Sequence, residues 1–391
     1  MMLRIALKML VGDRVKYFGL IGGFFFTALM ITQMTSLFVG MMSRSFTLVA
    51  ETTNVDIWAM DPAVETVGEA APMREATLNR VRGVVGVDYV MPMYVGNIRA
   101  RLPSGRFVNS ELIGIDASTM LGAPYSNRFD WSVLRRSDAI VIDRRSAINF
   151  FMDPFARSSP VETPPPLRPI RAGDIITLND RRAIVAGIAD AGARMIAKPV
   201  IYTTYDRAVS WSPRQTNMLT YALIRAKPGV DLQTLCTRIN ADTGLRARTC
   251  RELSLDSVRY TIQHTDIIKQ VGFMVALTTA VGIVVTGLLL NMFISDNLRY
   301  FAVLKAMGLG NARIVSMLYV QTLWCGLIGC TTGMGTACVL GTVMKRVNMP
   351  FVLLWQPATG IPMLIICLCL VTATYASRRV IRLEPAIVFK S

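Results

Sequence analysis

Histidine is almost missing from this chain: His264 is the only one in 391 residues. That excludes a His-Glu-x-x-His zinc site and any His-rich metal centre, and it leaves little room for a His-based triad. His264 itself reads as a surface or juxtamembrane residue. Ser-x-x-Lys and Gly-x-Ser-x-Gly patterns are also absent. No Gly-x-x-x-x-Gly-Lys-Ser/Thr loop occurs, so a Walker-type nucleotide site is excluded. The carboxylates Asp138, Asp143 and Asp153 are scattered, not paired. The residues therefore describe a non-catalytic chain with no cofactor and no metal.

Charge is missing too, but only locally. Four runs carry no charged residue: Tyr17 to Ser43, Gln270 to Ser295, Ile314 to Met344 and Val347 to Ser377. A helix needs about 20 apolar residues to cross a bilayer, and each charge at the centre costs kcal/mol. Buried core helices are the bland alternative, and four such runs are rare in soluble proteins. The first run is too long for a signal-peptide core and ends without an A-x-A-like site, so it reads as an uncleaved anchor. The cores of the runs hold no ion or proton path.

Basic residues set the orientation. Arg4, Lys8, Arg14 and Lys16 precede the first run. Arg299, Lys305 and Arg313 lie between the second and third, and Arg378, Arg379, Arg382 and Lys390 follow the fourth. The short turn after the third run has only Lys345 and Arg346. Both termini and residues 296–313 are thus expected in the cytoplasm of a cell inner membrane, with 44–269 and 345–351 outside.

The formal charge is +16. Residues 44–269 hold 29 basic and 23 acidic residues, net +6, while the membrane part holds 13 and 3, net +10. Most of the excess therefore sets topology and meets anionic lipid, which argues against a nucleic-acid partner. The outer segment is rich in Arg and has only three Lys.

Five of seven cysteines lie in the third and fourth runs as small apolar residues. Cys236 and Cys250 lie outside them. They form a disulfide if that side is oxidising and the geometry allows, or stay as two thiols.

The outer segment reads as mixed α/β. Val55 to Met60 is strand-like, and Pro72 to Val81 is helical. Val87 to Leu102 and Arg106 to Ile115 are two strands around Pro103-Ser104-Gly105. Thr220 to Arg225 and Leu245 to Cys250 are strands flanking an amphipathic helix over Val230 to Asn240. These predict one α/β lobe from about 46–130 plus 217–262. A second, β-rich lobe over about 131–216 is expected from Ala139 to Ile142, Asp174 to Leu178, Arg182 to Ile188 and Val200 to Thr204. The five prolines between Ser158 and Pro169 mark a loop.

Between the second and third runs, Leu298, Phe301, Ala302, Leu304 and Lys305 have helical spacing. Gly308 is a natural stop, and Asn311 is placed to cap the next helix. This predicts a short amphipathic helix across the cytoplasmic mouth, or one lying on lipid.

Here the chain resembles ABC-transporter permeases of the MacB/FtsX family. Leu304-Lys305-Ala306-Met307-Gly308 is similar to the family's loop, and Ala302 to Gly308 is closest to its DevC-like branch. The tail from Arg378 to Phe389, with Glu384-Pro385-Ala386, resembles the family's ending. Ala139 to Asp143 and Ile170 to Asp174 are similar to its outer-domain strands, and the 1 + 3 layout matches over the whole chain. One departure is Tyr300, where the family usually has an acidic residue.

The resemblance implies four transmembrane helices, at 17–43, 270–295, 314–344 and 352–377. It places a cytoplasmic amphipathic segment at 1–16, a MacB-like periplasmic core domain at 44–269 and a cytoplasmic tail at 378–391. It implies an ATP-binding cassette ATPase partner that supplies the nucleotide site, a second copy of the chain, and in some systems a periplasmic membrane-fusion adaptor with an outer-membrane channel. ATPase coupling would then fall to Arg299, Tyr300, Phe301, Leu304, Lys305, Ala306, Met307 and Gly308. The implied activity is export of a hydrophobic or amphipathic substrate by transmitted motion. The alternative is FtsX-like regulation of an extracytoplasmic cell-wall enzyme, without cargo. Gly326, Gly329 and Gly333 would let helices approach closely, within one chain or at a dimer seam.

Overall fold

The computed structural model describes residues 14–69, 71–125, 129–153, 167–195, 198–212, 218–307, 309–347 and 349–381. The chain divides into two compact units, one of residues 1–41 and 265–391 and the other of residues 42–264.

In the second unit, chain entry is helical. Helix α1 (Arg14–Ser45) ends within it and is followed by one turn, α2 (Thr47–Glu51). Among the described residues the unit's main sheet has nine strands: β1 (Ile57–Met60), β2 (Val87–Arg101), β3 (Phe107–Ile115), β4 (Ala139–Asp143), β5 (Ile175–Leu178), β6 (Arg181–Ala189), β7 (Val200–Thr204), β8 (Tyr221–Ala226) and β9 (Arg246–Thr249). Their order is β9-β1-β8-β2-β3-β7-β4-β6-β5, and β5 also pairs with β2. That last pairing, Ala100 with Leu178 and Arg101 with Thr177, closes β2, β3, β7, β4, β6 and β5 into a six-stranded ring.

The two expected lobes are therefore halves of one sheet. Strand β2 has 15 residues, about 50 Å at 3.3 Å per residue. Its first half (Val87–Met93) pairs with β8, and its second half (Tyr94–Arg101) pairs with β3. β3, assigned to the first lobe by sequence, pairs in parallel with β7 from the second. The hairpin from β2 to β3 turns at Gly105, whose φ of 86° suits glycine, and Gly105 N–H donates to Leu102 O at 2.8 Å.

Every ring strand sends apolar side chains inward. Ile98 and Ala100 (β2), Leu112 (β3), Ile201 (β7), Ile140 and Ile142 (β4), Ala183 and Val185 (β6), and Ile176 and Leu178 (β5) join one buried cluster. Eight strands make a barrel just wide enough to fill with side chains, so a six-stranded ring is a packed core rather than a channel.

Helices α3 (Ala76–Arg82) and α6 (Leu232–Thr243) pack against each other and add Leu78, Val81, Leu235 and Ile239 to that cluster. α3 begins four residues later than expected, because Met73 and Arg74 pair with Leu219 and Met218 as a short bridge. Short helices α4 (Arg144–Asn149) and α5 (Tyr205–Ser210) follow β4 and β7 directly. A second buried cluster holds Leu48 and Val49 of α2 with Leu253 of α7 (Cys250–His264). The helices through which the chain enters and leaves this unit thus pack together. Most of the Pro-rich run lies outside the described residues.

The other unit is helical: the body of α1, then α8 (Asp266–Ala306), α9 (Asn311–Arg346) and α10 (Trp355–Ile381). Among the described residues three helical segments are long and apolar enough to cross a membrane: Tyr17–Ser45, Asp266–Phe293 and Asn311–Arg346. Among the described residues α10 offers a shorter apolar stretch, Ala358–Val371, with Pro362 inside the helix. Thr27 Oγ1 and Thr286 Oγ1 lie 3.0 Å apart between α1 and α8. Tyr319 and Thr374 hydroxyls lie 2.7 Å apart between α9 and α10.

Candidate functional site

α8 is one helix of 41 residues, about 60 Å long at 1.5 Å per residue, or about twice a bilayer's hydrocarbon core. The separate short helix expected within residues 296–313 is instead the end of this helix, which runs on to Ala306. The reason lies in the residues: Asn291 through Ala306 include neither glycine nor proline, so nothing interrupts the backbone ladder. The helix stops at Met307, where Leu309 N–H donates to Leu304 O at 3.2 Å, a Schellman-type closure. α9 starts at once. Gly310, not Asn311, is its N-cap residue, and its carbonyl accepts from Arg313 N–H at 3.0 Å.

Of the expected coupling residues, Tyr300 (60% exposed) and Met307 (65%) face outward, whereas Leu304 and Lys305 are half-buried. Val303, not singled out by sequence, is 41% exposed between them. Positions 300, 303 and 307 share one helix face by their spacing of three and four. They form an apolar stripe on the polar-flanked end of α8. Arg299, Phe301 and Ala306 are helical in backbone; Gly308 lies outside the described residues, as do 1–13 and the Glu384-Pro385-Ala386 box.

The three glycines sit at helix contacts. A Cβ on Gly329 would strike Phe24 Cβ and come within 2.9 Å of Ile21 O. One on Gly333 would lie 2.5 Å from Phe25 O, and one on Gly326 would lie 2.6 Å from Cys369 Sγ. α9 therefore meets the backbone of α1 with no side chain between them.

Cys236 and Cys250 are free, and the bridge is not formed. Cys236 is buried on the core face of α6, and its thiol is pushed up to about 12, chiefly by burial. Cys250 Sγ instead donates to Val55 O at 3.2 Å. Two of the scattered aspartates, Asp143 and Asp153, have structural partners. Asp143 accepts from Ser146 N–H and Ala191 N–H at 3.1 and 3.0 Å, and Asp153 accepts from Ser104 N–H at 3.0 Å. Among the described residues no three His, Cys, Asp or Glu are grouped to hold a metal. His264 is exposed and stacks on Tyr260.

An apolar helical unit plus a large mixed sheet unit defines a membrane-embedded subunit with a substantial domain outside the bilayer. The sequence matches the MacB-like periplasmic core domain over residues 18–241 and the FtsX-like permease C-terminal model over residues 272–385. The chain belongs to the MacB/FtsX-like permease family, the permease component of ABC systems. No curated protein matches it.

Among solved structures it is similar to the periplasmic region of MacB from Actinobacillus actinomycetemcomitans, with 13% identity, 55% of this chain and 95% of that one covered, and a TM-score of 0.34. It is also similar to the extracellular domain of the noncanonic ABC-type transporter YknZ from Gram-positive bacteria, with 17% identity, 50% and 98% covered, and a TM-score of 0.33. A domain of a putative permease from Porphyromonas gingivalis gives 14% identity, 50% and 89% covered, and a TM-score of 0.31.

Proposed function

We propose that this chain is the permease subunit of an ABC-type export system that transmits ATP-driven motion of a separate ATPase to its outer domain. A hydrophobic or amphipathic substrate would be moved by that outer domain. The observation that carries the reading is the end of α8. Its apolar stripe at Tyr300, Val303 and Met307 is exposed, and it sits on a helix that runs unbroken from Asp266. A push at one end of an unbroken helix reaches the other without a hinge to absorb it.

The reading includes four spans, with α10 as the fourth despite Pro362. Both termini and the α8–α9 turn lie in the cytoplasm of an inner membrane, and residues 44–269 form the periplasmic domain. It also includes a second copy of the chain and, in an envelope with two membranes, an adaptor and outer channel. The packed ring interior supports transmission by the domain's movement rather than passage through its sheet.

The test replaces Val303 and Met307 together by Asp in the full chain, co-purified with its ATPase in lipid nanodiscs. Stimulation of ATP hydrolysis should fall about tenfold or more, as expected when charges replace anchors of a docking stripe, while membrane insertion is unchanged. Unchanged association and stimulation would place the contact elsewhere.

A further inference from the structure

A buried ionic cluster in the sheet unit serves neither a cap nor the ring core. Glu51, the last residue of α2, accepts from Gly192 N–H, and Arg194 Nη1 lies 3.7 Å from the same Glu51 oxygen. Arg194 Nε also donates to Glu111 of β3 at 3.1 Å, and its Nη2 donates to Tyr202 of β7 at 3.3 Å. The side chains of Arg194, Glu51 and Glu111 are 11%, 15% and 23% exposed, and Tyr202 is fully buried. One turn earlier, Thr47 Oγ1 donates to Ala193 O at 3.1 Å. Residues Ala191–Met195 thus form a strap between β6 and β7; α2, the turn that follows α1, holds its Gly192 N–H and Ala193 O, while Ala191 N–H donates to Asp143 of β4.

The two sides of this cluster differ. Arg194 is bonded to neighbouring parallel strands of the ring, through Glu111 and Tyr202. Toward α2 the pair is longer, and Glu51 Oε2 and Arg194 Nη1 have no hydrogen-bond partner. Burial holds the Glu51 carboxyl above its ordinary range, with Arg194 and the Gly192 N–H only partly offsetting it. A buried pair that leaves lone pairs unmatched contributes little net stability, so stability alone gives it no account.

We infer that Glu51, with Thr47, is the grip by which α2 pulls on the Ala191–Met195 strap, and that Arg194 is the positioning residue that passes the pull to β3 and β7 of the ring. This rests on the transmission reading above. The Glu51–Arg194 contact is the joint that lengthens or shortens in the cycle, and the Arg194–Glu111 contact remains closed. Glu111 keeps Arg194 paired when Glu51 moves away, so the guanidinium is not stranded in the interior.

The test is hydrogen exchange on the full chain with its ATPase in nanodiscs, with and without ATP and vanadate. In the wild type, exchange at 191–195 should change about tenfold between the two states, the scale of one hydrogen bond to a charged group. Glu51→Gln, which preserves shape, should remove that difference while the rest of 42–264 still responds. Thr47→Val, which deletes one hydroxyl and leaves the ion cluster intact, should weaken it. A merely structural pair would instead give Glu51→Gln a lower melting temperature and an undiminished nucleotide response at 191–195; that result overturns the grip. A wild-type outer unit that shows no nucleotide response anywhere overturns the transmission reading, and the grip with it.

Discussion

Two carboxylates of the sheet unit, both pushed upward by burial, end with opposite net shifts because their partners differ. Asp174 is partly buried, which alone would raise its pKa, but Arg168 holds it with two bonds of 2.7 and 2.8 Å and Arg171 N–H adds a third. These bonds outweigh burial and hold Asp174 below the ordinary range. An unfolded chain then binds more protons, so this pairing stabilises above about pH 4 and is lost as pH falls through the lowered value. Asp174→Asn should lower stability at pH 7, with the deficit shrinking below about pH 4. Urea midpoints across that range would show it, and a deficit constant down to pH 3 would refute it. Glu51 has the reverse sign. Its raised pKa favours the folded state at low pH, and that advantage is lost as pH rises through the ordinary carboxylate value and on to the raised one. The Glu51 partnership was not legible in the sequence, since Arg194 and Glu111 are 83 residues apart and Glu51 and Gly192 are 141 apart.

Among elements, strands were the most legible, because alternation and apolar density fix them locally. α7 was not read. Its buried face is Leu253, Ser257 and Thr261, so two of three inward positions are small hydroxyl residues that leave no apolar period. The end of α8 was legible as a place but not as a surface. Leu304 and Val303 look equivalent in sequence, and only the helix phase turns one inward and the other outward. Expecting a separate helix within residues 296–313 failed for a simpler reason: a drop in hydropathy ends a membrane span but does not end a helix. The α1–α9 contact gives the prediction at this scale. Gly329→Val would push a branched side chain against Phe24 and the α1 backbone, costing roughly 2 kcal/mol or more as overpacking does. Thermal unfolding of the detergent-solubilised chain should show the loss, while Gly335→Val, where the added Cβ meets nothing within 4 Å, should not.

For the whole molecule, the sheet unit has two buried clusters of its own, which include Tyr202, Trp58 and Tyr221, all fully buried. Residues 42–264 alone should therefore unfold in one cooperative transition, followed by near-ultraviolet circular dichroism. A non-cooperative melt, or loss of the near-ultraviolet signal before heating, would show that the fold depends on the membrane helices. The ring closure has another bearing on that fragment. A sheet normally ends in two open rims, each able to recruit a strand from another molecule. Here β5 is stitched back to β2, so one rim does not exist. The other is β9, four residues long, with Arg246 and Arg248 both held by Asp256. A brief, charged rim makes a poor template for foreign strands. The domain can therefore be crowded against neighbours, as its attachment to a membrane demands, without polymerising through its backbone.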